Sequence, residues 1–183
     1  SLTDAFVSFC HTALAHSRPD RFDRGFVREA FQADASLTFK LIDLFRIRFT
    51  PGVKDRDRLY EDALKETEEL LSAYNTGHRY LDETRKTVFR ACLTFIRHTL
   101  KTNFFVPEKH ALAFRLDPAF LSDLGPDFTS NLPEATPFRV TFFFTRQAQG
   151  YHIGFSDIAR GGWRTIVCRT QDEHTTSTRS IFR

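Results

Sequence analysis

Over the first hundred residues apolar side chains recur every three to four positions; beyond them the period shortens to two. Leu2, Phe6, Phe9, Cys10, Ala13 and Leu14 share one face of a first helix. After a loop with Pro19, Phe22, Phe26, Val27, Ala30 and Phe31 line a short second one. Leu37, Leu41, Leu44 and Phe45 mark a third, capped by Asp34 or Ser36 and ended by Pro51-Gly52. A longer helix is predicted from about Lys54 to Tyr74. Its buried stripe is Leu59, Ala63, Leu70, Leu71 and Tyr74, with Glu61, Lys65 and Glu69 outside at i, i+4 spacing. Asn75-Thr76-Gly77 stops it. The next helix starts near Asp82 and carries Phe89, Leu93, Ile96 and Leu100 on its apolar face.

Past Asn103 the pattern turns to strands. Leu112, Phe114 and Leu116 alternate with Ala113 and Arg115. Residues 117–137 hold four prolines and read as irregular loop with one helical turn. Phe138, Val140, Phe142 and Phe144 then alternate with polar positions. Gln147 to Gly150 reads as a turn, and Tyr151, Ile153 and Phe155 lead back. This predicts an antiparallel hairpin with one buried face. The polar tail from Gln171 to Ser180 reads as loop. The fold class is therefore α+β: a helical region over residues 1–107, then a β-rich part over 108–183 forming a small, mainly antiparallel sheet with a hairpin.

Composition adds limits. With 183 residues, 41% hydrophobic and 27% charged, the chain reads as a globular protein with a real core. It holds 21 Phe, one Trp and no Met, so it is expected to be an internal piece of a longer protein. No apolar run nears the ~20 residues that span a bilayer, and the first segment has no signal-peptide character. Cys10, Cys92 and Cys168 are widely spaced, which suggests reduced thiols in a cytoplasmic protein. A net charge of +3, with bases and acids interleaved, argues against a nucleic-acid groove.

Most motifs that carry chemistry are absent from the sequence. It has no G-x-G-x-x-G, no P-loop and no G-x-S-x-G elbow, and no histidine pairs with cysteines at zinc spacing. No catalytic residue, cofactor-binding residue or metal ligand is therefore assigned. His110, His152 and His174 read as surface or hydrogen-bonded histidines. One segment differs: Ala159-Arg160-Gly161-Gly162-Trp163-Arg164. Its glycines let backbone N–H groups approach a ligand, and its guanidiniums can grip a carboxylate through two parallel hydrogen bonds. That set suits a small acidic substrate. On spacing alone a plain Gly-Gly turn with solvated arginines is the simpler reading.

Four stretches in register shift that balance. They are Leu44-Phe45-Arg46-Ile47-Arg48-Phe49-Thr50-Pro51, Leu100-Lys101-Thr102-Asn103-Phe104-Phe105, Ala111 to Pro118, and Gly150-Tyr151-His152 leading through Ile158 to Arg164. Together they resemble the large bacterial NAD-dependent glutamate dehydrogenases. The resemblance implies that the chain includes the start of the substrate domain, incomplete here. It implies that Arg160 binds the side-chain carboxylate of glutamate, that Gly161 and Gly162 shape the pocket wall, and that Arg164 is a further substrate-site residue.

The resemblance further implies that the catalytic lysine, its acidic partner and the NAD-binding half follow Arg183, so that the piece alone is inactive. The parent would be a cytoplasmic homo-oligomer acting on an amino acid, with no nucleic-acid or membrane partner. Trp163 stands where the family has Leu, and Thr165-Ile166 replaces a Trp-Ser pair, which leaves another amino acid open as substrate. A non-catalytic regulatory or oligomerisation module is the competing reading.

Overall fold

The computed structural model describes residues 1–15, 18–124 and 139–154, and the backbone of 163–168. Five helices come first: α1 (Leu2–Leu14), α2 (Arg24–Ala33), α3 (Ala35–Phe49), α4 (Arg56–Ala73) and α5 (Arg79–His98). Strands β1 (Thr99–Thr102) and β2 (Leu112–Leu116) follow. The helical turn α6 (Phe120–Asp123) precedes β3 (Arg139–Phe144), β4 (Ala148–Gly154) and β5 (Trp163–Cys168). The strands form one antiparallel sheet in the order β1-β2-β3-β4-β5. The α+β class and the hairpin match the pattern of the sequence.

The helix starts obey capping chemistry. The Asp23 carboxylate accepts from the Phe26 amide, and Asp34, rather than Ser36, accepts from Leu37 at 2.8 Å. At α5 the Asp82 carboxylate accepts from the amide and hydroxyl of Thr76. Those bonds hold its pKa below the ordinary carboxylate value, against a smaller opposing effect of desolvation. They also draw the helix start back to Arg79, ahead of the predicted Asp82.

Three predicted faces are corrected. From Ala5 onward helix α1 is buried on every side, including Ser8, His11 and Thr12, because α2, α5 and β3 all pack on it. Helix α4 leaves Leu59 and Leu70 exposed. Its inward line is Tyr60, Ala63, Leu64, Thr67 and Leu71, since it packs mainly along α3. Its ion pairs are Arg58–Asp62, Lys40–Glu66 and Arg97–Glu68. Leu100 is not on α5 at all. It lies at a bulge in β1 with 51% of its surface exposed. β1 escapes prediction because it is four residues long and follows α5 without a breaker.

The hairpin turn is also tighter than predicted. Thr145 donates its amide to the Ala148 carbonyl, while its hydroxyl oxygen accepts from the amides of Gln147 and Ala148. This threonine turn lets pairing resume at Ala148 instead of after Gly150. The predicted one-turn helix after Asp117 is α6. Residues 125–138 and the tail from Gln171 to Ser180 lie outside the described residues.

One apolar cluster joins helices and sheet. Phe95 of α5 is fully buried, with its ring 4.3 Å from Phe9, 5.0 Å from Phe114 and 6.0 Å from both Phe6 and Phe142. Such tilted and edge-on pairs suit the aromatic quadrupole, and they explain the use of so many phenylalanines. Cys10 and Cys92 are free and buried, with the Cys10 thiol donating weakly to the Val88 carbonyl at 3.6 Å. Burial, and then the neighbouring Cys10, push the Cys92 thiol well above its ordinary pKa, which makes it a poor nucleophile.

Candidate functional site

The two faces of the sheet are set by strand alternation. Phe114 and Leu116 of β2, Val140, Phe142 and Phe144 of β3, and Tyr151 and Ile153 of β4 are buried against the helices. The other face carries polar side chains in register. Lys101 stands opposite Arg115, Arg115 opposite Thr141, Thr141 opposite His152, and His152 opposite Arg164. One row thus crosses all five strands and brings four basic residues to one line of the sheet.

Arg139 lies two residues before Thr141, on the same face, opposite Gly154. A side chain at Gly154 would meet this arginine: a Cβ there would lie 3.4 Å from its Nε and 3.7 Å from its Cβ and Nη2. The Arg139 side chain therefore lies against the end of β4, within ordinary van der Waals contact of where a side chain at Gly154 would begin. Arg139 and Arg115 are diagonal neighbours, a separation that long side chains bridge easily. The pKa of Arg115 is lowered from its ordinary value, first by desolvation and then by the Arg139 charge. Two guanidiniums, each partly withdrawn from water, thus repel across one patch.

The predicted site residues relate to this patch as follows. Arg160, Gly161 and Gly162 lie outside the described residues. Arg164 falls on β5 opposite His152, with only its backbone described. His152 is half-buried in the basic row. His110 is exposed beside a hollow lined by Phe104, Lys109, Leu112, Phe144 and Arg146, at the far end of β3 from Arg139. His174 lies outside the described residues. Sequence reasoning passed over Arg115 and Arg139 as the solvent phase of two strands. Only the register, which sequence alternation leaves open, places them together.

Among the described residues no group of three or more His, Cys, Asp or Glu could hold a metal, and no helix is long and apolar enough to cross a membrane. Among the described residues the sheet is antiparallel throughout.

Comparison with known proteins adds a separate line. Residues 76–177, from just before α5 through β5, match the family described as bacterial NAD-glutamate dehydrogenase, catalytic domain. The chain is 35% identical over 164 residues to glutamate dehydrogenase 2 of Dictyostelium discoideum, covering 89% of this chain and 15% of that protein. It is 38% identical over 101 residues to the NAD-specific glutamate dehydrogenase of Neurospora crassa, covering 55% of this chain and 9% of the relative. The NAD-specific glutamate dehydrogenase of Pseudomonas aeruginosa is 27% identical over 148 residues, covering 78% of this chain and 8% of the relative. The chain thus spans a small part of the length of each relative.

Proposed function

The chain belongs to the bacterial NAD-glutamate dehydrogenase catalytic-domain family, and we propose that it supplies a carboxylate-binding edge of the substrate site in a longer NAD-dependent glutamate dehydrogenase. The parent reaction is oxidative deamination of L-glutamate to 2-oxoglutarate and ammonia. NAD, bound elsewhere in the parent, accepts the hydride from the substrate α-carbon; water then hydrolyses the imine. The part of this chain is to bind and orient the acid.

In this reading residues 108–183 begin the substrate domain, and residues 1–107 form the helical region before it. Arg160 holds the side-chain carboxylate, Gly161 and Gly162 form the adjoining wall, and Arg164 lies beside them on β5. The parent is a cytoplasmic homo-oligomer. The observation that carries the reading is the family match across the whole sheet, together with the basic face of that sheet. Cations gathered there on a rigid scaffold suit an anionic substrate better than a neutral one. Trp163 and Thr165-Ile166 keep a second substrate open, an acidic amino acid of different length.

The test is Arg160→Ala in the full-length protein. Losing a guanidinium–carboxylate pair costs about 2–5 kcal/mol, so the KM for glutamate should rise on the order of 30- to 4,000-fold. The apparent affinity for NAD should stay within about threefold of wild type. A glutamate KM that does not move would overturn the assignment of Arg160.

A further inference from the structure

We infer that the hollow beside His110 is a binding site for a small carboxylate with an apolar body, its acid group held by Lys109. The inference does not depend on the dehydrogenase reading. The hollow lies where β2 begins and β3 ends, at the opposite end of β3 from Arg139. Three observations carry it.

First, walls and charge suit one kind of ligand. Phe104, Ala111, Leu112 and Phe144 give the hollow an apolar lining, and the charged side chains beside them, Lys109 and Arg146, are both basic. Among the described residues no aspartate or glutamate lines it. At about 250 Å³ it is smaller than the ~300–1,000 Å³ of sites for drug-sized ligands, so it takes a molecule of about ten non-hydrogen atoms.

Second, Lys109 is placed. Its Nζ donates to the Val106 carbonyl at 2.9 Å and lies 5.5 Å from the centroid of the Phe104 ring. No carboxylate pairs with it among the described residues. An ammonium has three N–H donors, so donors remain for a ligand.

Third, the loop that carries Lys109 is fixed. The Asn103 side chain donates to the Ala111 carbonyl at 2.9 Å and accepts from the Ala113 amide at 2.8 Å. The Asn103 carbonyl accepts from the Val106 amide at 3.0 Å. Within that frame Glu108 has a φ of 55°, a left-handed conformation unfavourable for a residue with a side chain. It persists only where surrounding bonds impose it, and it precedes the residue that folds back over Phe104. A neutral ligand would gain only the apolar contacts here, and an inorganic anion only the charge. A carboxylate on an apolar body uses both.

The test uses the full-length protein with phenylacetate as probe. Its uncharged counterpart is 2-phenylethanol, and acetate is the acid without the ring. Calorimetry reads binding to wild type, Lys109→Met and Ala111→Trp. Phenylacetate should bind wild type saturably, at least about tenfold tighter than acetate, because only the ring buries apolar surface. Lys109→Met keeps the apolar stem and loses the charge. It should weaken phenylacetate about three- to fivefold, the range of an exposed ion pair, and leave 2-phenylethanol unchanged. Ala111→Trp fills the hollow and should abolish binding of both. Lys109 is exposed, so its variant keeps the fold and decides the question even if Ala111→Trp does not fold. Excess glutamate should not displace the probe.

No saturable binding of phenylacetate, or equal affinity for phenylacetate and 2-phenylethanol, would overturn the inference. So would a phenylacetate affinity that Lys109→Met leaves untouched. Displacement by glutamate would put the probe in the substrate site and overturn it as well.

Discussion

The two faces of the same sheet obey opposite rules. The inner face is closed by α1 and α5 and filled with aromatic rings: Phe114 and Phe142 meet Phe9 and Phe95 with centroids 5.0–6.0 Å apart, and Tyr151 lies 5.2 Å from Phe142. Nearly every side chain there reaches zero exposure. The outer face gathers Lys101, Arg115, Arg139 and His152 at positions that alternation alone would assign to solvent. Stability lives on the first face. The contrast separates the scaffold from the surface it presents.

Substitutions on each face should therefore change different quantities. The largest expected stability loss is for Phe142→Ala, which empties a fully buried ring site touching Phe9, Phe95, Phe114 and Tyr151. It should cost about 3–5 kcal/mol, seen as a lower urea midpoint with an unchanged slope. A loss near zero would mean that the inner face does not hold the sheet to the helices.

Tyr151→Phe is milder. The Tyr151 and Thr12 hydroxyls share a buried hydrogen bond at 3.3 Å. Its removal keeps the ring and should cost about 0.5–1.5 kcal/mol. A stability equal to wild type would show that the ring alone matters there.

Arg115→Gln on the outer face should change stability least, by under about 0.5 kcal/mol, and should remove part of the repulsion felt at Arg139. Any gain should be greatest at low salt and shrink as salt is added. Unfolding curves at two ionic strengths read this directly. A loss of about 2 kcal/mol would instead make Arg115 part of the scaffold and erase the contrast between the faces.

The helices and the hairpin were legible because each buries a continuous apolar stripe of its own period. Val140, Phe142 and Phe144 against Tyr151 and Ile153 announced both the strands and their shared inner face. Legibility failed where local pattern and tertiary surroundings disagree. Leu59 and Leu70 carry the composition of a buried stripe on a helix with a neighbour on the other side. Thr99–Thr102 is too short to show a period, and Leu100 sits at its bulge. For the candidate site, Arg160-Gly161-Gly162 stood out by residue type and resemblance, whereas Arg139 did not, because nothing local marks one strand arginine among many.

By itself the sequence determined which helices and hairpin form, the inward phase of strands β2, β3 and β4, and which family the chain resembles; these follow from side-chain period and from residues adjacent along the chain. The tertiary structure alone decided that α1 lies at the centre, that β1 closes the edge of the sheet, and that Arg115, Arg139, His152 and the Arg164 position share one face. The reason is physical. Alternation sets which side of a strand a residue faces, while strand order and register, settled by packing against the helices, choose its neighbours across the sheet.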